Sequence, residues 1–130
     1  MPHMVMEHAV DPAKALWDAL GDLSGVEVLH NQALVAVYMR PQKTASGIYL
    51  TDQTRNEDIY QSKVGLLIKT GNTAFVPGEG WWENVETFVL GDWLVFRPSE
   101  SWSITVNGVV CRVIDDINVR GRVKHPDTVW

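Results

Sequence analysis

The chain has 130 residues, of which 45% are apolar and 21% charged, and this balance predicts one globular domain with a core of its own. The net charge of −5 and the absence of a long basic run argue against a nucleic-acid partner. A single cysteine, Cys111, excludes a disulfide within the chain, and no apolar run approaches the ~20 residues of a membrane span. The first residues lack a signal-peptide pattern, so we expect a cytoplasmic protein.

The first predicted element is a short helix that follows an N-terminal arm, residues 1–10. Asp11 and Pro12 suit the N-cap and the first helical position. Gly21 is a natural residue to end the helix. A helix this short needs to dock on the domain or on a neighbouring subunit. Its docking stripe has helical spacing and consists of Ala13, Leu16, Trp17 and Leu20.

Short apolar runs separated by turn residues occupy most of the remaining chain. Asn107-Gly108, the strongest hairpin signal, separates two of these runs. Cys111 lies in the second run, and we expect it to be a small buried hydrophobic residue. Strands at this spacing predict a mainly β protein, a small barrel or sandwich. The predicted strands are residues 26–30, 33–40, 64–69, 93–96, 101–106, 109–114 and 117–123.

A long polar segment, residues 40–61, interrupts the strand pattern. It far exceeds the usual ~2–5 residues of a hairpin loop. In its centre Gly47 precedes three consecutive apolar residues, Ile48, Tyr49 and Leu50. A polar loop with an apolar centre is either folded back on its own domain or held out for a partner. The function of the protein depends on which of these is true.

Two other stretches are candidates for contacts. Residues 73–86 are irregular, and within them the adjacent Trp81 and Trp82 stand among glycines and a proline. These tryptophans either form a second contact loop for a partner or cap the core of their own domain. A basic cluster near the C-terminus predicts a solvated edge or a subunit contact. It consists of Arg120, Arg122, Lys124 and His125.

The residue pattern of an enzyme is absent from the sequence. The four histidines lack metal-ligand spacing, no glycine-rich phosphate loop follows a strand, and no serine stands in a nucleophile elbow. The acidic pairs Glu57-Asp58 and Asp115-Asp116 diverge on an extended chain, so we interpret them as solvated turn residues. We therefore expect a non-enzymatic protein without a cofactor or a metal ion.

Several segments together resemble the GroES-type co-chaperonins, the ring-forming lids of chaperonins. Residues 34–37 with Arg40 are similar to the first strand of that family, and residues 44–51 to its mobile loop. Residues 64–67 match the strand before its roof hairpin. Residues 89–96 match its Gly-Asp turn and following strand, and residues 104–114 its later hairpin. The resemblance covers about residues 33–120.

The resemblance implies a GroES-like β-barrel with long loop insertions and a short N-terminal helix. The domain division is then an arm and helix at 1–31, a barrel at 32–123 and a tail at 124–130. It also implies a homo-oligomeric ring, a heptamer, that docks Gly47, Ile48, Tyr49 and Leu50 onto a chaperonin and assists protein folding. No cofactor, nucleic acid or membrane is implied.

The departures from the family pattern leave an alternative open. The chain adds the N-terminal helix and the tail, is bulkier around Trp81-Trp82, and carries Tyr49 where a small aliphatic residue is usual. Such divergence is similar to that of bacteriophage co-chaperonins, which act in the host cytoplasm. Because a fold does not fix a function, the alternative is a virion protein, a capsid decoration or cement protein that binds capsid protein through the arm, helix, tryptophans and tail. An unrelated small β-barrel binding module is the third interpretation.

Overall fold

The computed structural model describes residues 11–39, 61–78 and 80–129. Within them the chain forms one α-helix, six β-strands and four short 3-10 turns. The helix and strands are α1 (Pro12–Leu20), β1 (Gln32–Val37), β2 (Val64–Thr70), β3 (Trp93–Phe96), β4 (Ser101–Val106), β5 (Val109–Asp115) and β6 (Val119–Val123). The 3-10 turns are Gly80–Trp82, Pro98–Glu100, Asp116–Asn118 and Pro126–Val129.

All six strands belong to one antiparallel sheet in the order β4-β5-β1-β2-β3-β6. The prediction of a mainly β protein with a short N-terminal helix is thus confirmed. Strands β4 and β6 lie at the two ends of the sheet, and each pairs with one neighbour among the described residues. These pairs do not close the sheet, so the closed barrel stays a prediction.

Helix α1 begins and ends where the sequence predicts. The Asp11 carboxylate accepts a hydrogen bond from the Lys14 N–H at 3.2 Å, and Pro12 is the first helical residue. Gly21 has φ +63° and donates its N–H to the Trp17 carbonyl at 3.1 Å. Only glycine adopts this left-handed conformation without strain, which makes Gly21 an effective helix stop.

The Asn107-Gly108 hairpin is also confirmed. It joins β4 to β5, and both turn residues have positive φ, +49° and +83°. Positive φ at both positions is the requirement of a type I′ turn, whose twist matches that of the flanking strands. The Asn107 side chain also donates to the carbonyls of Leu20 and Asp22 at 2.7 and 3.0 Å. The hairpin turn is thereby fastened to the end of α1.

Three strand predictions differ from the structure. The strand predicted at residues 33–40 is β1, which ends at Val37. Residues 26–30 form no strand; instead the Lys69 ammonium group bonds to the Val26 carbonyl, and His30 has φ +55°. This segment crosses directly over Gly71, where a Cβ atom would lie 2.1 Å from the His30 carbonyl oxygen. The last strand begins at Val119 rather than at residue 117, because a 3-10 turn occupies Asp116–Asn118.

Both faces of the sheet are covered, which explains why β1 is apolar at nearly every position. Leu34 and Ala36 point to one face, the helix face, where α1 packs. Ala33 and Val35 point to the other, the loop face, which aromatic residues of the segment 74–88 cover. The helix-face core comprises Leu20, Leu34, Ala36, Tyr38, Val64, Leu66, Ile68, Trp93, Val106 and Cys111. The loop-face core comprises Ala33, Val35, Leu67, Phe75, Leu94, Phe96 and Ile114.

Candidate partner-binding site

The predicted chaperonin-binding residues Gly47, Ile48, Tyr49 and Leu50 lie outside the described residues. The structure does describe the two places where the chain leaves the sheet before this segment and returns after it. Those places are the end of β1 and the approach to β2, which are neighbouring strands paired from Val37 and Gly65 onward. These two places form the base of the candidate binding segment.

Ser62 holds the two ends of the segment together. It is fully buried, and its hydroxyl lies 2.7 Å from the Tyr38 carbonyl and 3.2 Å from the Val64 carbonyl. The Tyr38 N–H in turn donates to the Val64 carbonyl at 3.1 Å. Burial of a hydroxyl is costly unless it is hydrogen-bonded, and these bonds satisfy it. Sequence reasoning missed Ser62, because an isolated serine beside a loop gives no signal of burial.

The side chain of Tyr38 connects this base to the C-terminal segment. Its ring is 2% exposed and packs edge-on against Trp93 with ring centroids 5.7 Å apart. Its hydroxyl bonds to the buried carboxylate of Asp127, which lies in the turn Pro126–Val129. The His125 Nδ1 accepts from the Asp127 N–H at 3.2 Å. The predicted tail therefore begins with residues that pack on the domain. The base of the segment is held both by Ser62 and by Asp127.

A basic cleft of about 520 Å³ lies next to Gln61, the first residue described after the segment. Arg112 is its most buried lining residue, and its guanidinium donates to the Pro98 carbonyl at 3.2 Å and to the Ser101 hydroxyl at 3.0 Å. Burial lowers the pKa of Arg112 because the charged form loses hydration. The lining consists of Gln61, Lys63, Arg97, Pro98, Ser99 and Arg112, three of them basic and none acidic.

Trp82 packs against its own domain. It lies in the 3-10 turn Gly80–Trp82, with ring centroids 5.1 Å from Phe75 and 5.4 Å from Phe88. Its indole N–H donates to the Asp116 carboxylate at 3.2 Å. This arrangement matches the interpretation in which Trp82 caps the domain core, and its role as a partner contact stays a prediction. The side chain of Trp81 lies outside the described part of the chain.

Asp116 is the polar anchor of the loop face. It is 5% exposed and accepts from the Asn31 side-chain amide at 3.2 Å and from the Phe75 N–H at 3.0 Å, in addition to the Trp82 indole. The expectation of a solvated turn residue was therefore wrong for Asp116. Three donors, one from Asn31 and two from the segment 74–88, compensate the cost of burying its carboxylate.

The C-terminal basic cluster is only partly solvated. Arg122 donates to the Asp92 carboxylate at 3.2 Å and to the carbonyls of Glu86 and Thr87 at 3.1 and 3.4 Å. Its guanidinium also lies 4.2 Å from the centre of the Phe88 ring. Arg122 thus fastens the end of the loop-face segment to β6, a role that the cluster of charges in the sequence does not reveal.

The described residues contain no group of three or more histidine, cysteine, aspartate or glutamate side chains placed to hold a metal ion. Among the described helices, none has the length and apolar character to cross a membrane. In comparisons with known proteins, no family model and no curated sequence matches this chain.

Proposed function

We propose that this protein is a non-enzymatic co-chaperonin of the GroES type. It would use Gly47, Ile48, Tyr49 and Leu50 to dock onto a chaperonin as one subunit of a ring. The observation that carries the proposal is the base of this segment. A long polar stretch with an apolar centre starts and ends beside one pair of neighbouring strands, where Ser62 and Tyr38 join the two strands.

The proposed mechanism is physical rather than chemical. A loop that becomes ordered on binding loses part of its contact energy to that ordering, so the affinity of one loop stays modest. Each apolar anchor contributes ~1.5–3 kcal/mol if it is fully buried in the partner. Several loops on one ring then bind together, and their avidity greatly exceeds the affinity of one loop. A closed barrel and a heptameric ring belong to the same proposal.

The braced base suits this mechanism. Buried hydrogen bonds fix the end of β1 to the approach of β2, and the Tyr38 hydroxyl bonds to Asp127. A partner that binds the segment would therefore find both of its ends held to paired strands. Rigid support for a binding loop is the usual arrangement in recognition sites.

Exposed apolar side chains away from this segment favour a second candidate, a virion decoration or cement protein that binds capsid protein. Trp102, Val89 and Leu90 are 80%, 58% and 55% exposed. A shell protein with several neighbours would bury such residues in contacts with them.

The first experiment is size-exclusion chromatography with light scattering on the purified chain, alone and with a bacterial chaperonin with and without nucleotide. A ring that co-elutes with the chaperonin only when nucleotide is present supports the co-chaperonin. A species that ignores the chaperonin under every condition contradicts it, and mass spectrometry of purified virions then tests the second candidate.

Substitution separates the two candidates further. Tyr49→Asp places a charge in the apolar centre and is expected to abolish chaperonin binding while leaving the oligomer intact. Leu29→Asp is the matched control, because Leu29 is an exposed apolar residue outside the segment, 53% exposed. If Tyr49→Asp binds the chaperonin as well as Leu29→Asp does, the proposed docking residues are wrong.

A further inference from the structure

Strand β4 is an end strand of the sheet that the described residues form. Among the described residues it pairs with β5 alone, and its sequence, Ser-Trp-Ser-Ile-Thr-Val, holds neither a charged residue nor a proline. The free edge of an end strand presents unpaired N–H and C=O groups that can bind another strand. Proteins usually protect such edges with lysine, proline or a bulge, and β4 has none of these protections over its six residues.

An apolar stripe runs along the same strand. Trp102, Ile104 and Val106 share one face, and their exposed fractions are 80%, 36% and 6%. Ile104 stands opposite Cys111, and Val106 is part of the helix-face core. The stripe therefore extends the core outward into solvent, with its largest side chain the most exposed.

The other end of the sheet has the opposite character. Strand β6 carries Arg120 and Arg122, which pair with Glu100 and Asp92, each at 3.2 Å. If β6 paired with β6 of a second copy, these arginines would face each other between the two strands, and their carboxylate partners would offset only part of the repulsion. Like charges on paired strands are destabilising. The distribution of charge thus favours β4 as the edge at which two copies meet.

We propose that β4 pairs antiparallel with β4 of a second copy around a two-fold axis perpendicular to the sheet. Such an axis keeps each side chain on its own face, so Trp102 and Ile104 of both copies form one apolar surface. When β4 pairs with β4 of the second copy, no like charges face each other, because the strand contains no charged residue. This contact goes beyond the proposed chaperonin function and does not depend on it.

The size of the contact indicates a reversible association. Trp102 stays on its own face of the joined sheet, so the second copy covers only part of the ~150–250 Å² that a fully buried tryptophan would lose. Together with Ile104 and the strand backbone, the covered area stays below the ~1,000 Å² of stable specific interfaces. Because the contact is isologous, it closes at two copies of a single chain, and it doubles a ring when all the β4 edges of that ring pair with one second ring.

The test is the molar mass of the full chain by light scattering and sedimentation across the micromolar range, for wild type and Trp102→Lys. Wild type is expected to approach twice the mass of Trp102→Lys at high concentration and to converge with it on dilution. Trp102→Ala is expected to weaken association by about tenfold, which corresponds to about 1.4 kcal/mol. Ile117→Lys is the matched control, since Ile117 is 48% exposed and lies outside β4; it is expected to keep the wild-type mass.

Two results would overturn the inference. If wild type and Trp102→Lys have equal mass at every concentration while both unfold cooperatively, a second copy does not cover β4. If Trp102→Lys lowers the mass by more than a factor of two, β4 meets a different surface of the next copy. Neither result bears on chaperonin co-elution, which Tyr49→Asp tests separately.

Discussion

The two faces of the sheet are covered in different ways. The helix face is covered by α1 and the segment after it, through apolar contacts such as that of Leu20, which is 1% exposed. The loop face is covered by an irregular segment whose aromatic residues, Phe75, Trp82 and Phe88, pack on one another. Its polar groups donate to the Asp116 carboxylate and accept from the Arg122 guanidinium, and these hydrogen bonds hold the segment in place.

The difference shows how a helix and an irregular segment are each held against a sheet. A helix satisfies most of its own backbone except at its ends, so α1 docks mainly through an apolar stripe, and Asn107 donates to the carbonyl of its last residue, Leu20. An irregular loop cannot satisfy its own backbone, and buried polar groups must be supplied from elsewhere in the chain. The helix face is therefore sensitive to loss of apolar volume, and the loop face to loss of a single polar anchor.

Leu20→Ala is expected to have the largest effect, because it removes a fully buried side chain from the helix face. Loss of buried methyl groups and the cavity that remains should lower the free energy of unfolding by about 3 kcal/mol. Urea unfolding measures this change. Leu29→Ala is the matched control, since Leu29 is half exposed, and it should cost less than about 1 kcal/mol. Equal effects at the two positions would contradict the proposed docking of α1.

Asp116→Ala is expected to cost about 2 kcal/mol, because three donors lose their buried acceptor. Hydrogen exchange should accelerate at residues 74–88 and stay unchanged in α1. Trp82→Phe keeps an aromatic ring but removes one donor, so a smaller loss confined to the same segment is expected. Uniform acceleration over both faces would show that Asp116 does not act as a local anchor.

Asn107→Ala tests the junction between the hairpin and the helix face. Asn107 has φ +49° and donates to the carbonyls of Leu20 and Asp22, so alanine should cost about 1.5 kcal/mol. Asn107→Gly relieves the backbone strain while losing the same hydrogen bonds. Thermal unfolding of both variants separates the two contributions, and an alanine variant no less stable than the glycine variant would argue against backbone strain.

The buried thiol of Cys111, on the helix face, is expected to make the free energy of unfolding depend weakly on pH. Burial raises the pKa of its thiol from the ordinary 9.0 to about 11. The unfolded chain releases this proton from pH 9 upward and the folded chain retains it to about pH 11, so stability falls as pH rises between these values. The loss is about 1 kcal/mol at pH 10. Urea unfolding of wild type and Cys111→Ala at pH 8 and pH 10 measures this loss, because the other titrating groups are the same in the two proteins. If the difference in unfolding free energy between wild type and Cys111→Ala is the same at both pH values, the prediction is wrong.

Local signals in the sequence predicted the regular parts well. Asp11, Pro12 and Gly21 fixed the bounds of α1, and Asn107-Gly108 fixed the hairpin, because each of these residues acts on its own backbone or on near neighbours. The strands β1 to β5 followed from apolar runs between turn residues. Residues 26–30 were predicted as a strand from a similar pattern but cross over Gly71 instead. A strand also needs a neighbouring strand with which to pair.

The candidate site was predictable only in part. The apolar centre at Ile48, Tyr49 and Leu50 is visible in the sequence as an anomaly in a polar loop. Its braced base was not predictable, because the Tyr38 hydroxyl bonds to Asp127, 89 positions along the chain. Asp116 was likewise misjudged, since its donors lie at Asn31, Phe75 and Trp82.

By itself, the sequence determined the mainly β class, the short helix with its caps and the hairpin, because those depend on backbone preferences and periodicity within a few residues. Only the tertiary structure decided which residues are buried polar anchors, which tryptophan faces inward and which strands end the sheet of the described residues. Trp82 and Trp102 are the same residue type, yet one donates to Asp116 and the other is 80% exposed. The physical reason is that burial and pairing depend on segments far apart in the chain, whose proximity no local pattern encodes.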